Sequence, residues 1–181
     1  METVKRMLVV VDMQNDFIYG ELGTEEARAI VPKIIDKIDE YMSRRDIILF
    51  TKDVHGDEYF DMIEGKKLPV RHCVKGSDGA EIIREIKDMD CIEFQTEKET
   101  FGAIKLATCP LPQNCVSVEV VGVCTDCCVI SNAILLRNMF PYTKIIVDAS
   151  CCAGTTPDNH KIALKAMKNC MIDVVGEEDD N

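Results

Sequence analysis

A few short stretches carry the residue types that acid–base, thiol and metal chemistry use. Val10-Val11-Asp12 ends an apolar run in a carboxylate, with Asp16 just beyond it. Asp53 and His55 are spaced i, i+2, so in an extended segment both side chains point the same way and can share one ion. His72 lies at the far end of the same loop, which also offers Asp57, Glu58, Asp61 and Glu64 as oxygen donors. Mixed nitrogen and oxygen ligation suits zinc, manganese or iron(II); the alternative is an ordinary solvated turn. Lys98 stands between Glu97 and Glu99. It is either a cation beside a thiolate or part of another solvated turn. In Cys124-Thr125-Asp126-Cys127-Cys128, the last thiol falls in the first turn of an apolar helix. Free backbone N–H groups and the helix dipole favour an anion there, which lowers a thiol pKa, and the same N–H groups could hold an oxyanion. The alternative for Cys128 is a buried structural thiol. Cys124 and Cys127 form a C-x-x-C that could be redox-active or contribute to a zinc site, and the other close pair is Cys151-Cys152. Cys73, Cys91, Cys109, Cys115 and Cys170 read as buried small apolar residues, and His160 as a surface residue.

The elements that must position these groups alternate between strand and helix. Strands are expected over 5–12, 46–51, 91–94, 117–123, 144–147 and 171–175. The first is apolar throughout, as in a parallel strand buried on both faces. Helices are expected over 32–44, 77–87, 102–108 and 125–139, and over 157–168 behind a Thr156 cap. Pro110 and Pro112 break the chain, and residues 52–76 form a long irregular segment of the kind that usually has a function. The pattern implies an α/β fold with a mainly parallel six-stranded sheet and helices on both faces. In such a sheet ligands bind beyond the carboxyl ends of the strands. Asp12, Asp53, His55, Lys98, Cys128 and, after the fifth strand, Asp148 and Ser150 would all map to that edge.

The chain has 181 residues, which implies a single domain over 1–176 with an acidic, solvated tail over 177–181. Lys and Arg number 21 against 32 Asp and Glu, a net charge of −11. That argues against binding nucleic acid or an anionic membrane, since both need a basic face. No apolar stretch is long enough to span a bilayer. The run Met7 to Val11 ends at Asp12 without a cleavage site, so no export signal is expected, and the ten Cys should be reduced thiols in the cytoplasm.

Val10-Val11-Asp12-Met13-Gln14-Asn15-Asp16-Phe17, Thr51-Lys52-Asp53-Val54-His55, Arg71 to Ala80 (RHCVKGSDGA), Lys98 and Gly122-Val123-Cys124-Thr125-Asp126-Cys127-Cys128-Val129 occur in this order. Nearly the whole chain resembles the isochorismatase-like cysteine hydrolases, with a Rossmann-like three-layer fold, and within them the nicotinamidase branch. The resemblance implies an Asp12–Lys98–Cys128 triad and a metal, zinc foremost, held by Asp53, His55, His72 and a fourth side chain. Glu64 is the choice for that fourth ligand, with Glu58 behind it. A cis peptide before Cys124 is also implied, with an oxyanion hole from the N–H groups of Cys124 and Cys128. Phe17 and Phe101 would wall the ring of a small amide substrate, although each could equally be core. The activity implied is hydrolysis of nicotinamide to nicotinate and ammonia through a cysteine thioester, as in NAD salvage, by a homo-oligomer. The segment after Lys98 lacks the extra aromatics of many relatives, and Leu68 and Pro69 precede His72 where some carry an aromatic. A sibling hydrolase of carbamoyl or ureido substrates is therefore an alternative, as is a non-catalytic binding or redox-sensing protein on the same scaffold. Isochorismatase itself fits less well, because that ether hydrolysis does not use the Cys.

Overall fold

The computed structural model describes residues 4–108, 110–111 and 114–177. In chain order, β1 (Lys5–Val11) leads into α1 (Asn15–Ile18), α2 (Glu25–Ala29) and α3 (Val31–Ser43). β2 (Ile47–Asp53) is followed by α4 (Ile63–Lys67) and α5 (Arg84–Lys87). Then come β3 (Phe94–Lys98), α6 (Ile104–Thr108), β4 (Cys115–Val123), α7 (Ile130–Met139), β5 (Lys144–Ala153), α8 (Pro157–Asn169) and β6 (Asp173–Val175). Every strand pair is parallel, in the order β3-β2-β1-β4-β5-β6.

The continuous apolar runs follow from this order. β1 and β4 are central, and successive side chains of a strand point to opposite faces. Leu8 and Val10 pack on one face with Ile34, Ile38 and Tyr41 of α3. Met7, Val9 and Val11 pack on the other with Leu136 of α7 and with Leu164 and Met167 of α8. Each face is therefore dry, and the three layers expected from the sequence are present. A fully buried Ile or Leu contributes about 1.5–3 kcal/mol, so packing rather than propensity decides these helices. α3 starts with Pro32 in its first turn. At the start of α8 the Asn159 N–H donates to Thr156 Oγ1 (3.1 Å), the cap expected from the sequence.

Several elements depart from expectation. The edge strand β3 is Phe94–Lys98, not 91–94, because its exposed, polar side chains gave no apolar signal. The expected helix over 77–87 survives as a 3₁₀ turn, Asp78–Ala80, and α5. Ile82 instead bridges antiparallel to Gln14, and the Ile83 N–H donates to the Met13 carbonyl at 2.9 Å. Tertiary hydrogen bonds replace helical ones there. The helix expected over 125–139 opens with a π-type turn, Thr125–Val129, before α7 begins. The long segment holds a 3₁₀ turn, Asp57–Asp61, besides α4.

β5 runs on to Ala153, so Asp148 sits within the strand rather than at the sheet's carboxyl edge. Between the pairs Val120↔Val147 and Gly122↔Cys152 the ladder slips. Asp148 there faces the Lys37 ammonium (2.8 Å) and accepts from the Ser150 hydroxyl (2.7 Å). Lys37 also meets Glu119 (2.8 Å), so this is a paired, buried cluster away from the edge. Cys170 is exposed at the end of α8, against the expectation of burial, and Cys115 is half-buried. Cys109, Pro112 and most of the acidic tail lie outside the described residues.

Candidate active site

Asp12 follows β1 with φ 51°, a left-handed conformation that Asp tolerates better than most residues. Its Oδ1 accepts from the Thr51 hydroxyl of β2 (2.6 Å). Its Oδ2 is buried and takes no hydrogen bond from the backbone or from Thr51. That oxygen faces the Lys98 ammonium at 2.7 Å. Lys98 ends β3, and its Nζ reaches Cys128 Sγ at 3.4 Å and Asp53 Oδ1 at 3.1 Å. Three residues far apart in sequence thus meet around one ammonium. Asp12 is 0% exposed, Cys128 4% and Lys98 5%, so bulk water is kept from the group.

The turn that carries Cys128 needs a close strand approach. Gly122 has φ 120°, and a Cβ there would fall 2.1 Å from the Val11 carbonyl oxygen. The peptide bond between Val123 and Cys124 is cis, as the resemblance implied. Val129 N–H and Cys127 N–H both donate to the Cys124 carbonyl (3.0 and 3.1 Å), which sets the wide turn. Asn132, fully buried, holds it from α7: its Nδ2 donates to the Cys128 carbonyl (2.8 Å) and its Oδ1 accepts from Ala103 N–H (2.9 Å).

Beside the triad lies a donor group. One ligand atom from each of Asp53, His55, Glu64 and His72 lies within 4.8 Å of all the others, so two imidazoles and two carboxylates could hold a divalent metal ion. Glu58, by contrast, is exposed and outside this group. His72 Nδ1 lies 2.9 Å from the Val70 carbonyl. A carbonyl only accepts, so Nδ1 carries the proton and Nε2 is turned toward the group. Asp53 serves both clusters: Oδ1 meets Lys98, and Oδ2 meets His55 Nε2 at 3.0 Å.

Electrostatics follow from burial. Burial raises the Asp12 carboxyl above its usual pKa, with Asp53 adding to the effect and Lys98 opposing it. Burial works against the Lys98 charge, but Asp12, Cys128 and Asp53 outweigh it and hold Lys98 well above an ordinary lysine. Burial also opposes the Asp53 charge, yet bonds from His55 and His72 and the Lys98 ammonium keep it below the usual carboxylate range. Burial, then Asp53, raises Glu64. The Cys128 thiol is raised well above its usual value, first by burial and then by Asp12. The sequence reading expected the helix start to lower it; desolvation and a facing carboxylate win instead.

The other expected residues are placed less simply. Phe17 belongs to the α3-side core and meets the His72 ring edge-on, centroids 5.5 Å apart. Phe101 is 38% exposed after β3, and its carbonyl accepts from Asn132 Nδ2 (3.2 Å). A cavity of about 410 Å³ lined by Val54, Glu58, Lys75, Lys98, Glu99 and others touches the triad at Lys98; Asp12 and Cys128 are not in its lining. Cys124 and Cys127 are half-buried free thiols, and Cys151 and Cys152 are buried in β5. His160, expected on the surface, is half-buried against Thr125.

Two contributors were missed. Gln14 is fully buried, and its carboxamide accepts from Asp53 N–H (2.7 Å) while Nε2 donates to the Asp53 and Ala80 carbonyls (2.7 and 2.8 Å). It acts as an extra strand partner for the segment that carries Asp53. Tyr59 packs against both His55 and His72, at 4.4 and 5.2 Å between ring centroids. A Gln in the polar run that follows the first strand, and an aromatic within the acidic loop, were the available signals.

The chain matches the family model described as "Isochorismatase domain" over residues 6–179. It is 29% identical to a nicotinamidase/pyrazinamidase of Mycobacterium tuberculosis, covering 94% of this chain and 98% of that protein. It is 25% identical to a nicotinamidase of Schizosaccharomyces pombe, over 95% of this chain and 93% of the relative. The crystal structure of the Pyrococcus horikoshii pyrazinamidase in complex with zinc superposes with a TM-score of 0.78 at 23% identity, over 96% of this chain and 99% of that one. That likeness shares the fold. Among the described residues no helix is long and apolar enough to cross a membrane. The family model spans nearly all of the chain, and the chain therefore belongs to the isochorismatase domain family.

Proposed function

We propose that this chain is a cysteine amidohydrolase that converts nicotinamide to nicotinate and ammonia. The observation that carries the reading is the buried contact of one ammonium with a carboxylate oxygen and a thiol, at 2.7 and 3.4 Å. Asp12 Oδ2 takes the Cys128 proton as sulfur attacks the carboxamide carbon. The Cys124 and Cys128 N–H groups receive the oxyanion. Asp12 returns the proton to the leaving nitrogen, which departs as ammonia and leaves a thioester. Water then attacks the thioester carbon, Asp12 takes its proton, the C–S bond breaks, and the proton passes back to sulfur. Lys98 stays charged throughout and balances Asp12 and the transient thiolate.

Asp53, His55, Glu64 and His72 would hold the metal ion, and zinc suits this nitrogen and oxygen donor set best. When bound, it supplies a Lewis-acidic anchor for the ring nitrogen, directly or through water. Phe17, against His72, would flank the ring from the α1 side. The names of the relatives support the substrate.

The test is a panel of amides, including nicotinamide, pyrazinamide and ureido and carbamoyl compounds, assayed for released ammonia before and after chelation. Nicotinamide turnover that is lost with chelation and absent in Cys128→Ala supports the reading. Turnover of a carbamoyl or ureido compound alone, independent of metal, reassigns the substrate. Turnover retained in Cys128→Ala removes the thiol from the mechanism.

A further inference from the structure

The start of α8 is fastened to the turn that carries Cys128. Thr125 opens that turn and is 0% exposed. Its Oγ1 lies 2.8 Å from His160 Nδ1, one turn into α8. The next residue, Asp126, accepts from Thr155 N–H (2.8 Å) and from the Thr155 hydroxyl (2.5 Å). Gly154 makes this approach available. A Cβ there would meet His160 N at 2.9 Å and Asp126 Oδ1 at 3.0 Å. A π-type turn is rare and recurs at functional sites. Here its first two side chains are both held from outside, by His160 of α8 and by Thr155 just before that helix. A buried hydroxyl without a partner costs free energy, so Thr125 depends on the imidazole.

We propose that His160 is a positioning residue for the turn Cys124–Cys128: its hydrogen bond to Thr125 fixes the N–H groups and the sulfur that the amide hydrolysis uses. This rests on the function proposed above. Burial lowers the His160 pKa, with Asp126 and Glu177 opposing it.

The experiment compares His160→Phe, which keeps a ring without Nδ1, His160→Asn, whose amide reaches the Nδ1 position, and His160→Gln, which reaches the Nε2 position instead. Thr125→Val and Thr125→Ser form the second pair. Nicotinamide kinetics and amide hydrogen exchange over residues 122–130 are read on each, with far-UV circular dichroism to establish folding. The expected result is a kcat about tenfold lower in His160→Phe, His160→Gln and Thr125→Val at unchanged KM. It is restored in His160→Asn and Thr125→Ser, and exchange is faster only within 122–130. A kcat unchanged in His160→Phe and Thr125→Val overturns the proposal, as does a loss that His160→Asn does not rescue. If the wild type turns over no nicotinamide, the function reading fails on its own. The exchange measurement then decides: local deprotection rescued by His160→Asn supports the positioning role, and unchanged protection overturns it. A variant that fails to fold is replaced by its partner on the other side of the bond.

Discussion

Replacing Lys98 with Met removes one charge from a buried chain of three. The ammonium lies 2.7 Å from Asp12 Oδ2 and 3.1 Å from Asp53 Oδ1. At an effective dielectric of about 20, such contacts amount to about 6 and about 5 kcal/mol of gross Coulomb attraction. Desolvation offsets most of that, so the assembled chain contributes little net stability. Removing one partner alone is different: it leaves buried charge uncompensated, at a cost of about 3–5 kcal/mol. Asp12, 0% exposed, can escape this only by taking up a proton. Protonating an ordinary Asp at neutral pH costs about 4 kcal/mol, which sets the ceiling on the loss.

The sign follows from the direction of the shift. Burial already raises the Asp12 pKa and Lys98 opposes the rise, so without Lys98 it climbs further. A carboxyl whose folded pKa exceeds its unfolded value contributes stability that is present at low pH and lost as pH rises through the folded pKa. Lys98→Met therefore approaches wild-type stability at pH values below the raised pKa that Asp12 already has in the wild type, and falls behind it by up to about 1.4 kcal/mol per unit above that. A protonated Asp12 also cannot accept the thiol proton, so amide turnover drops by about 10²–10⁴. The assay is urea unfolding across pH, followed by far-UV circular dichroism because the chain has no Trp. An unfolding free energy that tracks wild type within about 0.5 kcal/mol at every pH would refute the reasoning. Retained turnover would do the same.

Further outcomes are expected. Gly122→Ala places a Cβ 2.1 Å from a backbone oxygen at φ 120°, so a loss beyond about 4 kcal/mol is expected in the same unfolding assay; a shift below about 1 kcal/mol would mean that β1 and β4 can separate cheaply. Gln14→Leu strands the Asp53 N–H and two carbonyls, at about 1–3 kcal/mol for each group left unsatisfied. It should also weaken zinc binding, read by calorimetric titration, and unchanged zinc affinity would separate Gln14 from the donor group. His72→Ala removes one imidazole of the donor set, and elemental analysis of the dialysed protein should find less than one metal ion per chain while circular dichroism is preserved. Full metal content in that variant would exclude His72 as a ligand.

Local chemistry was legible before folding. The apolar runs at β1 and β4, the Pro32 and Thr156 starts of α3 and α8 and the turn after Val123 are short-range patterns, and each is present. The Asp53, His55, His72 set was readable because donors at i, i+2 share a side of an extended segment. What failed locally failed for a physical reason. β3 is an edge strand with exposed polar side chains, so it carries no apolar period. The 77–87 segment has a helical pattern, but hydrogen bonds to Met13, Gln14 and Asn15 claim its backbone.

Residue types and their order along the chain determined by themselves that this is an α/β sheet protein with acid, amine, thiol and metal donors at strand ends. The tertiary structure alone decided how those groups act on one another. It brought Glu64, and not Glu58, within 4.8 Å of the Asp53, His55 and His72 donor atoms, and it put Asp148 in a separate cluster with Lys37. It also reversed the expected shift of the Cys128 thiol. Burial and the distance to a facing carboxylate set a pKa, and neither is a property of sequence spacing. Both exist only once β1, β3 and the turn after β4 have closed around one dry ammonium.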